Sequence, residues 1–180
     1  IWNPYSFSGT PLLANFQSAA FYPLNILFFA LPFNLTWGIL VLLQPLFAAY
    51  FLYFYLRYMK ISKIGSSIGA LSFAFSGIVI VRAVEGLSVG HTLIWMPYVF
   101  WGIESFFQTK KLRFLLLTLL FLCLSLLAGW FQFTFYIYIL ALFYSIYKIY
   151  FDSENRSNFN FLDILPLLIL PFVTLFHTIP

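Results

Sequence analysis

The chain has 180 residues, 63% of them hydrophobic and only 8% charged, with a formal net charge of +4. A soluble domain carries about 25% charged residues, and this composition leaves too little polar side chain for a wet exterior, so an all-α integral membrane protein is the class that fits. The positive charge sits in two short clusters between apolar runs, a pattern of membrane topology that argues against nucleic acid as partner. The single Cys123 lies inside an apolar run and excludes a disulfide framework.

The first stretch, residues 1–36, is too polar and too broken to cross a bilayer. Pro4, Pro11 and Pro23 interrupt any long helix, and Gly9 permits a tight turn. Its aromatic rings suit the membrane–water boundary, with one face in acyl chain and one edge wet. Residues 18–32 are apolar but fall short of the roughly 20 residues a span needs, so they read as a short interfacial or re-entrant helix. Residues 1–36 are therefore expected to lie on one membrane face and to roof a site built from the loops that reach it.

The remainder, residues 37–180, reads as a polytopic helix bundle of about six transmembrane helices. The expected spans are 37–58, 64–81, 92–107, 114–128, 131–151 and 162–180. Gly65, Ser66, Gly69, Ala70, Ser72 and Ser76 give the second span a small-residue surface of the kind that lets helices approach closely in lipid. Residues 82–91 form the most polar break between spans. The apolar run 114–151 would stand about 57 Å tall as one helix at 1.5 Å per residue. It is therefore expected to fold back at Gly129-Trp130-Phe131-Gln132.

Alternation sets the orientation. The clusters Arg57–Lys63 and Lys110–Arg113 are an even number of crossings apart, so both fall on the cytoplasmic side, as does the loop after Lys148. Glu104 is expected there, paired with Lys110 or Lys111. Residues 1–36, 82–91, 129–132 and 177–180 fall on the outer side and carry the unusual polar residues.

Several stretches resemble one family. Trp2-Asn3-Pro4-Tyr5 with Gly9-Thr10-Pro11, then Ala14-Asn15, Gln17-Ser18 and Phe21-Tyr22-Pro23-Leu24-Asn25, are similar to the first large outer loop of the bacterial YfhO-like membrane proteins. Phe75-Ser76-Gly77, Trp95-Met96-Pro97 with Glu104, Ala128-Gly129 with Gln132, and His177 to Pro180 follow in the same order. The resemblance implies a protein of the bacterial cytoplasmic membrane related to the GT-C glycosyltransferases. Such enzymes move sugar from a polyprenyl-phosphate donor to an envelope polymer, lipid or protein at the extracytoplasmic face. It also implies a key carboxylate preceding Ile1, in a longer chain of which these residues are a piece.

Inverting transfer needs a carboxylate base for the acceptor hydroxyl and positive charge for the leaving phosphate, from a side chain or a divalent metal. Glu85 is the outer-side acid and the catalytic candidate. Arg82 suits a lipid phosphate, because guanidinium matches its geometry. His91 suits a phosphate or a metal. Asn3, Tyr5, Asn15, Gln17 and Gln132 offer hydrogen bonds to sugar hydroxyls, and Trp2 offers a ring for a sugar face. Each has a plainer alternative. Arg82 snorkels to headgroups or pairs with Glu85, His91 caps an interfacial turn, and Gln132 bonds a neighbouring helix. Asn3, Asn15 and Gln17 satisfy loop backbone. A transporter or flippase and a non-catalytic membrane scaffold are the competing functions.

Overall fold

Residues Phe33–Tyr58 form the longest helix among the described residues, α2, and its sequence explains why. Almost every side chain is apolar, so a bilayer exacts no desolvation cost, and the helix satisfies its own backbone. Pro45 lies within it and leaves the Val41 carbonyl without its usual helical donor. The protein is seen in a computed structural model that describes residues 2–3, 10–11 and 15–151. Apart from one two-residue antiparallel ladder, Trp2–Asn3 (β1) against Thr10–Pro11 (β2), the described residues build helices and short turns.

After single 3₁₀ turns at Phe16–Ser18 and Pro23–Ile26 come α1 (Leu27–Ala30) and α2. Then follow α3 (Lys63–Ala74), α4 (Gly77–Glu85), α5 (Leu87–Leu93), α6 (Met96–Thr109), α7 (Leu112–Leu127) and α8 (Phe131–Phe151). The short helical stretch expected at 18–32 is thus broken into two pieces at Pro23. Thr36 anchors it to α2, its hydroxyl lying within reach of the Leu27, Leu31 and Pro32 carbonyls.

Among the described residues two helices, Phe33–Tyr58 and Phe131–Ile149, are long and apolar enough to cross a membrane. A third candidate arises if α3 and α4, bent by 40° at Phe75-Ser76, count as one broken span. This is fewer than the six expected. The expected second span breaks where the Ser76 hydroxyl turns back to the Phe73 carbonyl. The third and fourth yield α6 and α7, which at 14 and 16 residues reach about 21 and 24 Å against a hydrocarbon core of about 30 Å. The sixth, 162–180, lies outside the described residues.

Ring contacts fix how the helices run. Phe51 meets Trp95 and Tyr98, Phe54 meets Tyr98 and Trp101, and Tyr58 meets Trp101, so α2 and α6 are parallel. Phe100 meets Tyr144 and Glu104 meets Lys148, so α8 runs the same way. The sequence between them returns antiparallel. Gly69 of α3 packs against Leu56, where an added Cβ would stand 2.8 Å from the Leu56 side chain. Gly102 of α6 packs against Thr118 of α7, where a Cβ would meet the hydroxyl at 2.3 Å. Both glycines let two helices approach closely, the role expected of small residues in lipid.

The core lies between α6, α7 and α8, where Val99, Ile103, Phe106, Leu115, Leu122 and Ile137 are buried. A second cluster joins Ala48, Ala74, Val79 and Ile94. Leu42, Leu46, Ile64, Ile68, Leu116 and Phe143 are exposed on the outer faces, as lipid-facing residues are.

Candidate functional site

Gly86 turns the chain sharply between α4 and α5 with extended backbone, φ −169°. The stretch read as a polar break, 82–91, is therefore almost wholly helical. Its first half ends α4 and its second half opens α5. In α5, Val89, Gly90, His91, Thr92 and Leu93 are all buried. The reason is the facing surface. Gln44, in mid-α2 about 16 Å from its start, lays its amide on Gly90 and donates to the Leu87 carbonyl at 3.2 Å. A Cβ at position 90 would stand 1.6 Å from Gln44 Oε1.

His91 is 2% exposed and its Nε2 has no hydrogen-bond partner among the described residues. Its ring lies 4.8 Å from that of Tyr22, tilted by 34°. Tyr22 is equally buried, and its hydroxyl accepts from Trp95 Nε1 at 3.2 Å. Burial disfavours the imidazolium and holds the ring neutral, and it pushes the Tyr22 phenol up. Gln44 Oε1 is a second buried atom without a partner. An unpaired buried polar atom costs about 1–3 kcal/mol, and this short interface carries two.

From the opening segment, Tyr22 lies against His91 of α5. Next to α5, at the end of α4, Arg82 Nη1 lies 2.7 Å from Glu85 Oε2, with both side chains about half exposed. Among the described residues Glu85 is the only acid at this end, and Arg82 holds it. No three His, Cys, Asp or Glu side chains among the described residues gather into a set that could hold a metal ion. The residues present do not fit a divalent cation, so no step is routed through one.

Asn15, Gln17 and Gln132 bond within their own turns. Asn15 accepts from the Gln17 backbone N–H at 3.1 Å, an ordinary turn bond, and both residues are exposed. Gln132 Nε2 donates to the Tyr136 hydroxyl one turn along α8 at 2.8 Å. Trp2 and Asn3 pair with Pro11 and Thr10 through the backbone. Tyr5 and His177 lie outside the described residues.

Tyr22, Gln44 and Trp95 were not singled out from sequence. Gln44 carried a signal, since it is an amide in the middle of an apolar span and must find a partner there. Tyr22 stood only in a stretch that carries the resemblance, with no role of its own, and its place comes from packing across 69 positions against His91. Beneath the site Thr92, Ser125 and Thr134 form a buried hydroxyl knot joining α5, α7 and α8.

The chain matches no family model, no curated protein and no solved structure.

Proposed function

We propose that the chain belongs to a polytopic membrane glycosyltransferase of the GT-C kind, with a sugar-transfer site at the extracytoplasmic end of the bundle. The observation that carries this reading is His91, buried under Tyr22 with an unspent ring nitrogen on α5, the helix that follows the arginine–carboxylate pair across Gly86. The resemblance of the opening loop supplies the reaction class.

In this reading Arg82 takes the phosphate of a polyprenyl-phosphate sugar, since guanidinium binds phosphate in a fork. The arriving phosphate draws Arg82 from Glu85. The freed carboxylate accepts the proton of the acceptor hydroxyl, whose oxygen attacks the anomeric carbon. The bond from that carbon to the phosphate oxygen breaks, and polyprenyl phosphate leaves against the Arg82 charge. His91 donates or accepts one hydrogen bond to the bound donor. A carboxylate preceding Ile1, as the resemblance implies, would share the base role.

The test is made in cells. Arg82→Gln, Glu85→Gln and His91→Leu are introduced one at a time, membrane levels are checked, and envelope glycans are read by mass spectrometry. Loss of one sugar modification at normal protein levels supports the site. Unchanged glycans in every variant and in a full deletion overturn the transferase reading. Loss in the deletion alone keeps the enzyme and discards these residues.

A further inference from the structure

Six cations converge on the opposite end of the bundle. Arg57, Lys60 and Lys63 surround the turn between α2 and α3, and Lys110, Lys111 and Arg113 surround the turn between α6 and α7. The parallel run of α2 and α6 brings the two turns to one end, and the Tyr58–Trp101 contact joins their helices at 6.2 Å. The turns are built alike. A left-handed lysine closes each, Lys60 at φ 61° and Lys110 at φ 54°, and a second cation follows three residues later, Lys63 and Arg113.

No ion pair joins Arg57, Lys60, Lys63, Lys111 or Arg113 to a carboxylate among the described residues. The two described acids are Glu85, at the far end, and Glu104, which is buried and held by Lys148. Lys63 and Arg113 also sit in the first turns of α3 and α7, where the helix dipole opposes a cation. α3 and α7 gain nothing from these two charges, whereas an external anion offsets them. Exposed apolar side chains stand among them: Met59, Ile61, Ile64 and Leu112. A soluble polyanion has no use for that apolar rim, but a lipid headgroup with its acyl chain alongside does. Arg113 lies 4.8 Å from the Phe114 ring centre, so a ring sits directly under the charged layer, as in the aromatic belts at headgroup depth.

The geometry points to a binding surface for anionic phospholipid headgroups on the α2–α3 and α6–α7 turns. The full chain is reconstituted in nanodiscs of equal parts phosphatidylglycerol and phosphatidylcholine, released into detergent, and its retained lipids are counted by native mass spectrometry. Phosphatidylglycerol is enriched in the wild type, and the enrichment weakens when salt is raised before release. It falls several-fold for each cation removed in the series Lys60→Gln, Lys63→Gln, Lys111→Gln, Arg113→Gln, and survives in Lys60→Arg. Equal retention of the two lipids by the wild type overturns the proposal without need of any variant. So does an enrichment that persists in the fourfold variant or disappears in Lys60→Arg.

Discussion

At position 91 the chain keeps a polar ring where an apolar one would pack as well. His91 Nε2 and Gln44 Oε1 both lack partners, and each such atom weakens the fold by about 1–3 kcal/mol. If His91 only filled space, His91→Leu would lower thermal stability by leaving a gap. The account expects instead an unchanged or raised melting temperature together with loss of the sugar modification. The melting temperature is read by fluorescence in detergent. Gly90 is held for a different reason, since a methyl there collides with Gln44. Gly90→Ala should cost about 1–3 kcal/mol by overpacking, and Gln44→Ala in the same chain should restore much of it. That coupling, measured as a double-mutant cycle, would be near zero if α5 did not lie on α2. Gln44 was visible in the sequence as a lone amide in an apolar span, but which backbone it met was not, because the partner lies 43 positions away.

Among the elements, α6 is tied to α8 by a buried ionic cluster. Glu104 accepts from Lys148 Nζ, from Gln108 Nε2 at 2.9 Å and from the Tyr144 hydroxyl. The expectation that Glu104 pairs with its sequence neighbours Lys110 or Lys111 was therefore wrong. Glu104 is deeply buried and those two lysines lie beyond the helix end, exposed, while α8 delivers Lys148 at the right depth. Sequence distance favoured the former, and the parallel packing of α6 and α8 decided for the latter. Removing one partner of such a pair leaves a buried charge and costs about 3–5 kcal/mol, whereas replacing both with apolar residues is close to neutral. Glu104→Leu should lower the melting temperature sharply, and Glu104→Leu with Lys148→Met should recover it. Equal losses in single and double variants would show that the pair does not hold the helices. The hydroxyl knot beneath the site should be weaker. Ser125→Ala loses bonds to Thr92 and Thr134 and should cost about 1 kcal/mol. The helical class was legible from composition, and α2 and α8 from their apolar length. The break at Phe75-Ser76 was not, because the same small residues that permit close helix packing also permit a bend. Nor was α5, whose seven residues are too few for a periodic pattern and are ordered by the helices around them.

For the whole molecule, one geometric claim underlies both proposals. The parallel course of α2, α6 and α8 sends the basic turns to one end and the Arg82–Glu85 pair, with the roofed His91, toward the other. Charge alternation along the sequence anticipated that the two basic turns share one end. It did not anticipate that among the described residues only two or three helices reach the length and apolarity of a span. The shorter helices, α5 to α7, are ordered by contact with their neighbours more than by their own apolar length. The most direct test is labelling of single cysteines in intact cells with a membrane-impermeant thiol reagent, in a Cys123→Ser background. Lys60→Cys, Lys111→Cys and Arg82→Cys are compared before and after the membrane is opened. The account predicts that Arg82→Cys labels in intact cells, while Lys60→Cys and Lys111→Cys label only once the membrane is breached. Labelling of Arg82→Cys and Lys60→Cys from the same side would contradict it.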